Sequence, residues 1–311
     1  MVAFESKELL IAALCAALAC AASASTVHAG SAEDGSANDL VVTYGSLPDP
    51  LHWLSFYSLP RTVQLAKKDG WAEVTNASAP ELLAEGVATT WCRQGDYRVC
   101  LLFDAAGVVA GLQASVSVKD FDKSYPIAME TQWRRQTLLN TEVFSATALF
   151  VAPRILTEGG RKVFAETDNT VEALHLQNGI SFWPMPSRMQ DAKDVAFEKQ
   201  GCVEGMGRHF FYGMKDDLAC DEHRPFFLLF DDVTGLLHGF GVTLFGRPAA
   251  GSWFGRKWFE KPNRKLVSAM VPDGPACFAD WAAKKGIGAL HVYFKSSPWK
   301  LECLDMPPSN A

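Results

Sequence analysis

The sequence predicts an α+β fold made by tandem duplication, each copy an antiparallel sheet with helices on one face. Three observations predict it. Segments rich in aromatic and β-branched residues follow one another without intervening helices, which argues against a parallel doubly wound sheet. Leu101-Leu-Phe-Asp104 recurs as Leu228-Leu-Phe-Asp231, followed by Gly107 and Gly111 in one case and Gly235 and Gly239 in the other. Further correspondences keep the same order: Glu85-Gly86 with Glu204-Gly205, Trp133 with Trp258, His175 with His291, and Ser55, Phe56 and Pro60 with Ser181, Phe182, Pro184 and Pro186. The copies are expected at 41–178 and 179–311, after a signal peptide at 1–24 and a flexible spacer at 25–40.

Each element has its own signal. Met189, Ala192, Val195 and Ala196 give Pro186 to Gln200 a helical period, and Pro60 to Lys68 is its shorter counterpart. His209 to Met214, Pro225 to Asp231 and Leu236 to Phe245 read as strands, the last two joined by a hairpin at Asp231–Gly235, as Asp104–Gly107 joins its equivalents. Lys265 to Val271 and Phe144 to Val151 read as matching fourth strands. Pro275 to Lys285 reads as a helix stopped by Gly286, and Ala289 to Phe294 and Ala173 to Leu176 close the copies as strands.

Leu9 to Ala22 is an apolar run behind Lys7, followed by small residues, the layout of a secretory leader cleaved after Ala24 or Ala29. Its n-region is diluted by Glu5 and Glu8, and Gly30 to Asn38 reads as a low-complexity spacer. Cleavage removes Cys15 and Cys20 and leaves six cysteines: Cys92, Cys100, Cys202, Cys220, Cys277 and Cys303. An even number in an oxidising compartment predicts three disulfides, and local pairing of 92 with 100, 202 with 220 and 277 with 303 is expected. Asn76 heads the one glycosylation sequon.

Net charge is −6, and no run of five basic residues occurs, so an electrostatic nucleic-acid footprint is missing. No apolar run beyond the leader approaches the length of a membrane span. Hydrolase elbow, zinc-protease, P-loop, EF-hand and C-x-x-C signatures are absent, and no cofactor or metal is expected. Gly205-Met-Gly207 and Gly239-Phe-Gly241 lack the context of a dinucleotide fingerprint and read as tight turns or close packing.

Two segments carry candidate chemistry. Arg208 and His209 beside a glycine pair, with Asp231, supply an anion anchor, a proton carrier and a carboxylate for an enzyme of unrecognised class. Against this, Asp104 and Asp231 sit where hairpins need turn initiators, and a bond within the sheet explains His209 as well. Trp253, Phe254, Arg256, Trp258 and Phe259 form an aromatic, cationic loop suited to an apolar ligand or partner if exposed, or to sealing the sheet edge if folded back. His175 and His291 read as structural. A non-catalytic secreted protein is therefore expected. It binds a small apolar molecule, or acts as a pheromone-like cue for an extracellular receptor.

Overall fold

The computed structural model describes residues 39–43, 55–75, 86–125, 131–161, 170–248 and 256–304. The expected leader, the spacer up to residue 38, Asn76, Trp253 and Phe254 lie outside them.

Fifteen strands are defined among these residues: β1 (Val41–Thr43), β2 (Phe56–Ser58), β3 (Trp71–Glu73), β4 (Thr89–Arg93), β5 (Asp96–Phe103), β6 (Val109–Ser117), β7 (Arg134–Leu138), β8 (Thr141–Leu149), β9 (His175–Asn178), β10 (Ser181–Pro184), β11 (Phe197–Val203), β12 (Gly207–Tyr212), β13 (Phe226–Phe230), β14 (Leu237–Phe245) and β15 (Ile287–Tyr293). Four short helices join them: α1 (Val63–Lys68), α2 (Pro153–Thr157), α3 (Arg264–Met270) and α4 (Phe278–Lys285). The architecture is mostly antiparallel sheet with few helices.

One sheet runs β3-β4-β5-β6-β8-β9-β10, with β7 paired to β8, and the other runs β11-β12-β13-β14-β15-β1-β2. The first has eight strands with β7 counted and the second has seven, and along the main path of each the neighbouring strands are antiparallel. Three strands lie in the sheet of the opposite half relative to a boundary at 178/179: β1 and β2 complete the sheet of the C-terminal half, and β10 follows β9 into that of the N-terminal half. Period-two alternation makes this legible at residue level. Phe226, Leu228, Phe230, Phe240, Val242, Leu290 and Val292 point into a core shared with Leu101, Phe103, Leu112, Ala148 and Phe150, while Phe227 and Leu229 point out. The ring of Phe150 lies 6.2 Å from that of Phe240 and 6.1 Å from that of Phe294, across the two sheets.

The two hairpins repeat in detail. A bulge falls between Leu102 and Phe103 in one and between Leu229 and Phe230 in the other. The Val63 amide donates to the Gly107 carbonyl at 2.9 Å, as that of Met189 does to Gly235 at 2.8 Å. A methyl group on Gly111 would stand 2.4 Å from the Ala148 oxygen, and one on Gly239 2.4 Å from the Val292 oxygen, so both positions need glycine for strand approach.

Several expectations are corrected. Lys265 to Val271 is not a strand: the Asn263 carboxamide accepts the Leu266 amide at 3.0 Å and caps α3. By register β8 corresponds instead to β15, since Gly111 faces Leu149 as Gly239 faces Tyr293. His175, on β9, also faces Leu149, so it is not the counterpart of His291 on β15. The expected helix over Pro186 to Gln200 shrinks to one 3₁₀ stretch, Met189–Val195, ended by Ala196 at φ 60°. From Phe197 the chain is β11, because pairing with β12 outweighs the helical period.

Three of the helices, α2, α3 and α4, pack on outward-pointing strand residues, whereas Ala66 of α1 joins the core between the sheets. Val267 and Met270 of α3 and Phe278 and Ala282 of α4 bury Phe211, Phe227, Leu229 and Tyr293, while Leu156 of α2 packs on Leu102, Ala110 and Leu149. Among the described residues three disulfides form, Cys92–Cys100, Cys202–Cys303 and Cys220–Cys277. The first is as expected; the other two replace the local pairs. Cys202 is on β11, and Cys303 is brought to it by a C-terminal strap whose Leu301 carbonyl accepts the Gly205 amide at 2.9 Å.

Candidate functional site

Alternation along β12 decides the fate of the Arg208 and His209 pair. Neighbours in a strand face opposite sides, so Arg208 shares the side of Phe210 and His209 that of Phe211. The Arg208 guanidinium closes a bidentate pair with Asp232, Nε to Oδ1 at 2.9 Å and Nη2 to Oδ2 at 2.6 Å. Burial opposes ionisation of Asp232, but the Arg208 bonds and the Leu304 amide outweigh it and hold the carboxyl below its ordinary range.

Asp231 turns the hairpin. Its Oδ1 accepts the amides of Val233 and Thr234 at 3.0 and 3.1 Å, and its Oδ2 accepts Lys295 Nζ at 2.7 Å. Burial raises its pKa and the Lys295 and amide bonds lower it further, so it stays ionised. Asp104 does the same work: Oδ1 takes the amides of Ala106 and Val108, and Oδ2 pairs with Arg161 at 3.1 Å. Arg208, His209 and Asp231 thus engage different partners and do not converge on a common centre.

His209 belongs to a buried polar cluster on the outer face, formed with residues that the sequence did not single out together. His209 Nε2 lies 3.4 Å from His291 Nε2, and His291 Nδ1 lies 3.3 Å from Glu260 Oε1. Tyr293 and His238 complete the group, their rings stacked at 5.9 Å. Strand register explains the assembly: Phe211, Phe227, Gly241 and His291 lie in one row across β12 to β15. Gly241 leaves the space that the Phe227 ring occupies, since a methyl there would stand 1.9 Å from that ring. Glu260 arrives through paired backbone bonds with Ala289, at 2.8 and 3.0 Å.

The cluster is closed. His209 is 0%, His291 1% and Glu260 5% exposed. Burial, then the neighbouring His291, lowers His209 to about 3, and burial lowers His238 to about 4. Burial, with Glu260 nearby, raises the Tyr293 hydroxyl well above its ordinary value. His223 is a separate case, enclosed by Phe245, Phe278 and Trp281 and lowered to about 3 by burial and then by Arg224. No group of three or more His, Cys, Asp or Glu suited to a metal ion occurs among the described residues.

Of the expected aromatic loop, Arg256, Trp258 and Phe259 are described. None is displayed: Trp258 is 1% exposed, and its Nε1 donates to Asp96 Oδ2 at 2.9 Å. Arg256 Nη2 bonds both Asp69 oxygens, at 3.1 and 2.9 Å, and its guanidinium stands 4.6 Å from the Tyr57 ring centre. The segment folds back and ties one sheet to the other. Its alternation of aromatic and basic residues did not distinguish this from display, because a ring sealing an edge and a ring offered to a ligand have the same composition.

An open groove does occur in the second half. It is about 400 Å³ in volume, between the 3₁₀ stretch, β11 and the hairpin turn, and Arg188, Met189, Lys193, Lys199, Phe210 and Gly235 are among its lining residues. Phe210 is buried against Phe230, the ring centres 5.0 Å apart, and gives the groove a fixed floor.

No protein-family model matches this chain, and neither a curated protein nor a solved structure is detectably similar to it. Its class is therefore defined by its own features: a two-sheet, mainly antiparallel protein with three disulfides and, among the described residues, no helix long and apolar enough to cross a membrane. These features are consistent with a secreted protein.

Proposed function

We propose that this is a secreted extracellular protein that acts by binding a small molecule with apolar character, and not by catalysis. The observation that carries the proposal is the contrast between a sealed titratable cluster and an open groove. A general base must reach the proton it takes, directly or through one water. His209 and His291 are shut beneath α3 and α4, whereas a groove of about 400 Å³ falls in the size range of small-molecule sites. The leader at 1–24 and the sequon at Asn76 belong to the same proposal. A protein that carries such a molecule past cells can also serve as the pheromone-like cue itself, read by an extracellular receptor.

Tandem duplication with strand exchange is part of this account. The matching bulges, helix-to-hairpin bonds and glycine approaches support it, as does the equal order of strands along the main paths of the two sheets. In this arrangement each repeat opens with two strands that join the other repeat's sheet, β1 and β2 in one and β9 and β10 in the other. Such an exchange makes the halves mutually dependent, which suits a rigid scaffold.

Native mass spectrometry of the protein secreted from eukaryotic cells tests the binding proposal. The expected result is an organic mass retained by the folded protein and lost on denaturation. A folded chain carrying nothing contradicts the carrier role.

A further inference from the structure

We propose that the groove beside the hairpin of the second half selects an anionic amphiphile, its acidic head held by Arg188, Lys193 and Lys199 and its apolar body laid on the half-buried Met189, which sits above the buried Phe210. The inference deepens the binding proposal and rests on it. Among the described residues, three cations and no carboxylate line the groove, in a chain whose net charge is −6. Chance placement of the chain's charges favours the opposite sign. Asp232 feels the field of Lys199, but both of its oxygens are taken by Arg208, with the Leu304 amide sharing one.

The other half supplies an internal comparison. The same backbone frame recurs there: the bridge between Arg188 and Leu236 has its counterpart between Thr62 and Val108, and the Leu237-to-Ser187 bond at 2.9 Å has its counterpart in the Val109-to-Arg61 bond at 2.9 Å. Carried through this frame and the strand register, Arg188 corresponds to Thr62, Met189 to Val63, Lys193 to Lys67, Lys199 to Glu73 and Phe210 to Trp91. Lys67 lies over the Trp91 ring, 5.7 Å from its centre. One scaffold therefore presents three cations in one half and a single cation beside a carboxylate in the other. Folding requires the frame in both places and the positive charge in neither, so the charge difference points to the ligand. A cationic cleft with an apolar floor raises the local concentration of an anion and rewards its tail with burial. Carboxylate, sulfate and sulfonate heads share this chemistry.

The test uses the full secreted chain and the fluorescent sulfonate 8-anilinonaphthalene-1-sulfonate, with N-phenyl-1-naphthylamine as its uncharged analogue. Titration calorimetry of the native protein should give one site for the sulfonate. The Lys193→Glu, Lys199→Glu double variant should weaken it by about tenfold or more and change uptake of the neutral analogue by less than about twofold. Lys67→Glu, at the matching place in the other half, should leave sulfonate affinity within about twofold of the parent. Lys193 and Lys199 are exposed, so retention of the parent's melting temperature is the check on folding. The proposal is overturned if the native protein takes up no sulfonate at about 1 mM. It is equally overturned if the double variant binds it as the parent does, or if Lys67→Glu weakens it as much. Any of these results removes the groove assignment alone, because a mass retained by the secreted protein is measured without reference to where it sits.

Discussion

Replacing Cys202 and Cys303 together by serine should lower the unfolding free energy by about 5 kcal/mol. The bond closes a loop of 101 residues, against 57 for Cys220–Cys277 and 8 for Cys92–Cys100. In the chain-entropy account the constraint on the unfolded state grows with the logarithm of loop length, so the Cys92 and Cys100 pair should cost less, about 2–3 kcal/mol. A second contribution is local. Without the bond the strap carrying Leu301 and Cys303 is held by the Gly205, Glu204 and Asp232 contacts alone. Urea melts of the two double variants check the order. A Cys92 and Cys100 variant that loses more than the Cys202 and Cys303 variant would refute it.

Stability should also fall steeply with mild acid. His209, His223 and His238 each bind a proton near pH 6.5 in the unfolded chain, but only near pH 3, 3 and 4 in the folded one, because burial disfavours the imidazolium. The unfolded state therefore holds more protons below pH 6.5. Full stability is present above that value and is lost as pH falls toward the folded-state values, at about 1.4 kcal/mol per unit for each histidine. Between pH 7.5 and 5.5 the three together should cost about 4 kcal/mol. The groups facing them do not reverse the sign: His209 faces His291 and His238, and Arg224 lies beside His223. Asp231 and Asp232 have lowered pKa values, so their contribution is lost only below the ordinary carboxylate range, in a separate and more acidic window. His223→Phe should fill an aromatic enclosure and remove about one third of the slope. A stability unchanged between pH 7.5 and 5.5 would contradict this account of the buried imidazoles.

How much of this was legible before the fold was known varies with the range of the interaction. Local signals were reliable. Leu-Leu-Phe-Asp followed by glycine marked both hairpins, Gly286 marked the end of α4, and Ser55-Phe56 and Ser181-Phe182 fall at equivalent places on or beside β2 and β10. What failed was what only pairing decides. Val267 and Val271 made a helix look like a strand, since a single capping residue, Asn263, outweighed their β preference. Met189 to Ala196 has a helical period, but β12 offered Phe197 and its successors a partner. Sequence proximity suggested local disulfides, whereas Cys303 reaches β11 only because the chain returns over the outer face.

The candidate chemistry divides in the same way. Asp104 and Asp231 were recognisable as turn residues from their context. Glu260 and Tyr293 were not recognisable as neighbours of His209, because strands far apart in sequence bring them together. The groove escaped notice for a related reason. Arg188, Lys193 and Lys199 are interspersed in sequence with Asp191, Asp194 and Glu198, which hide them as a cationic set, and only the 3₁₀ stretch and the β11 edge place them around Phe210.

The most direct test of the account is non-reducing peptide mapping of the protein secreted from eukaryotic cells. It joins the compartment to the fold, since the nested pairs require both oxidation and the return of the C-terminal strap to β11. The account predicts Cys92 linked to Cys100, Cys202 to Cys303 and Cys220 to Cys277. Free thiols at all six positions, or Cys202 linked to Cys220 and Cys277 to Cys303, would contradict it.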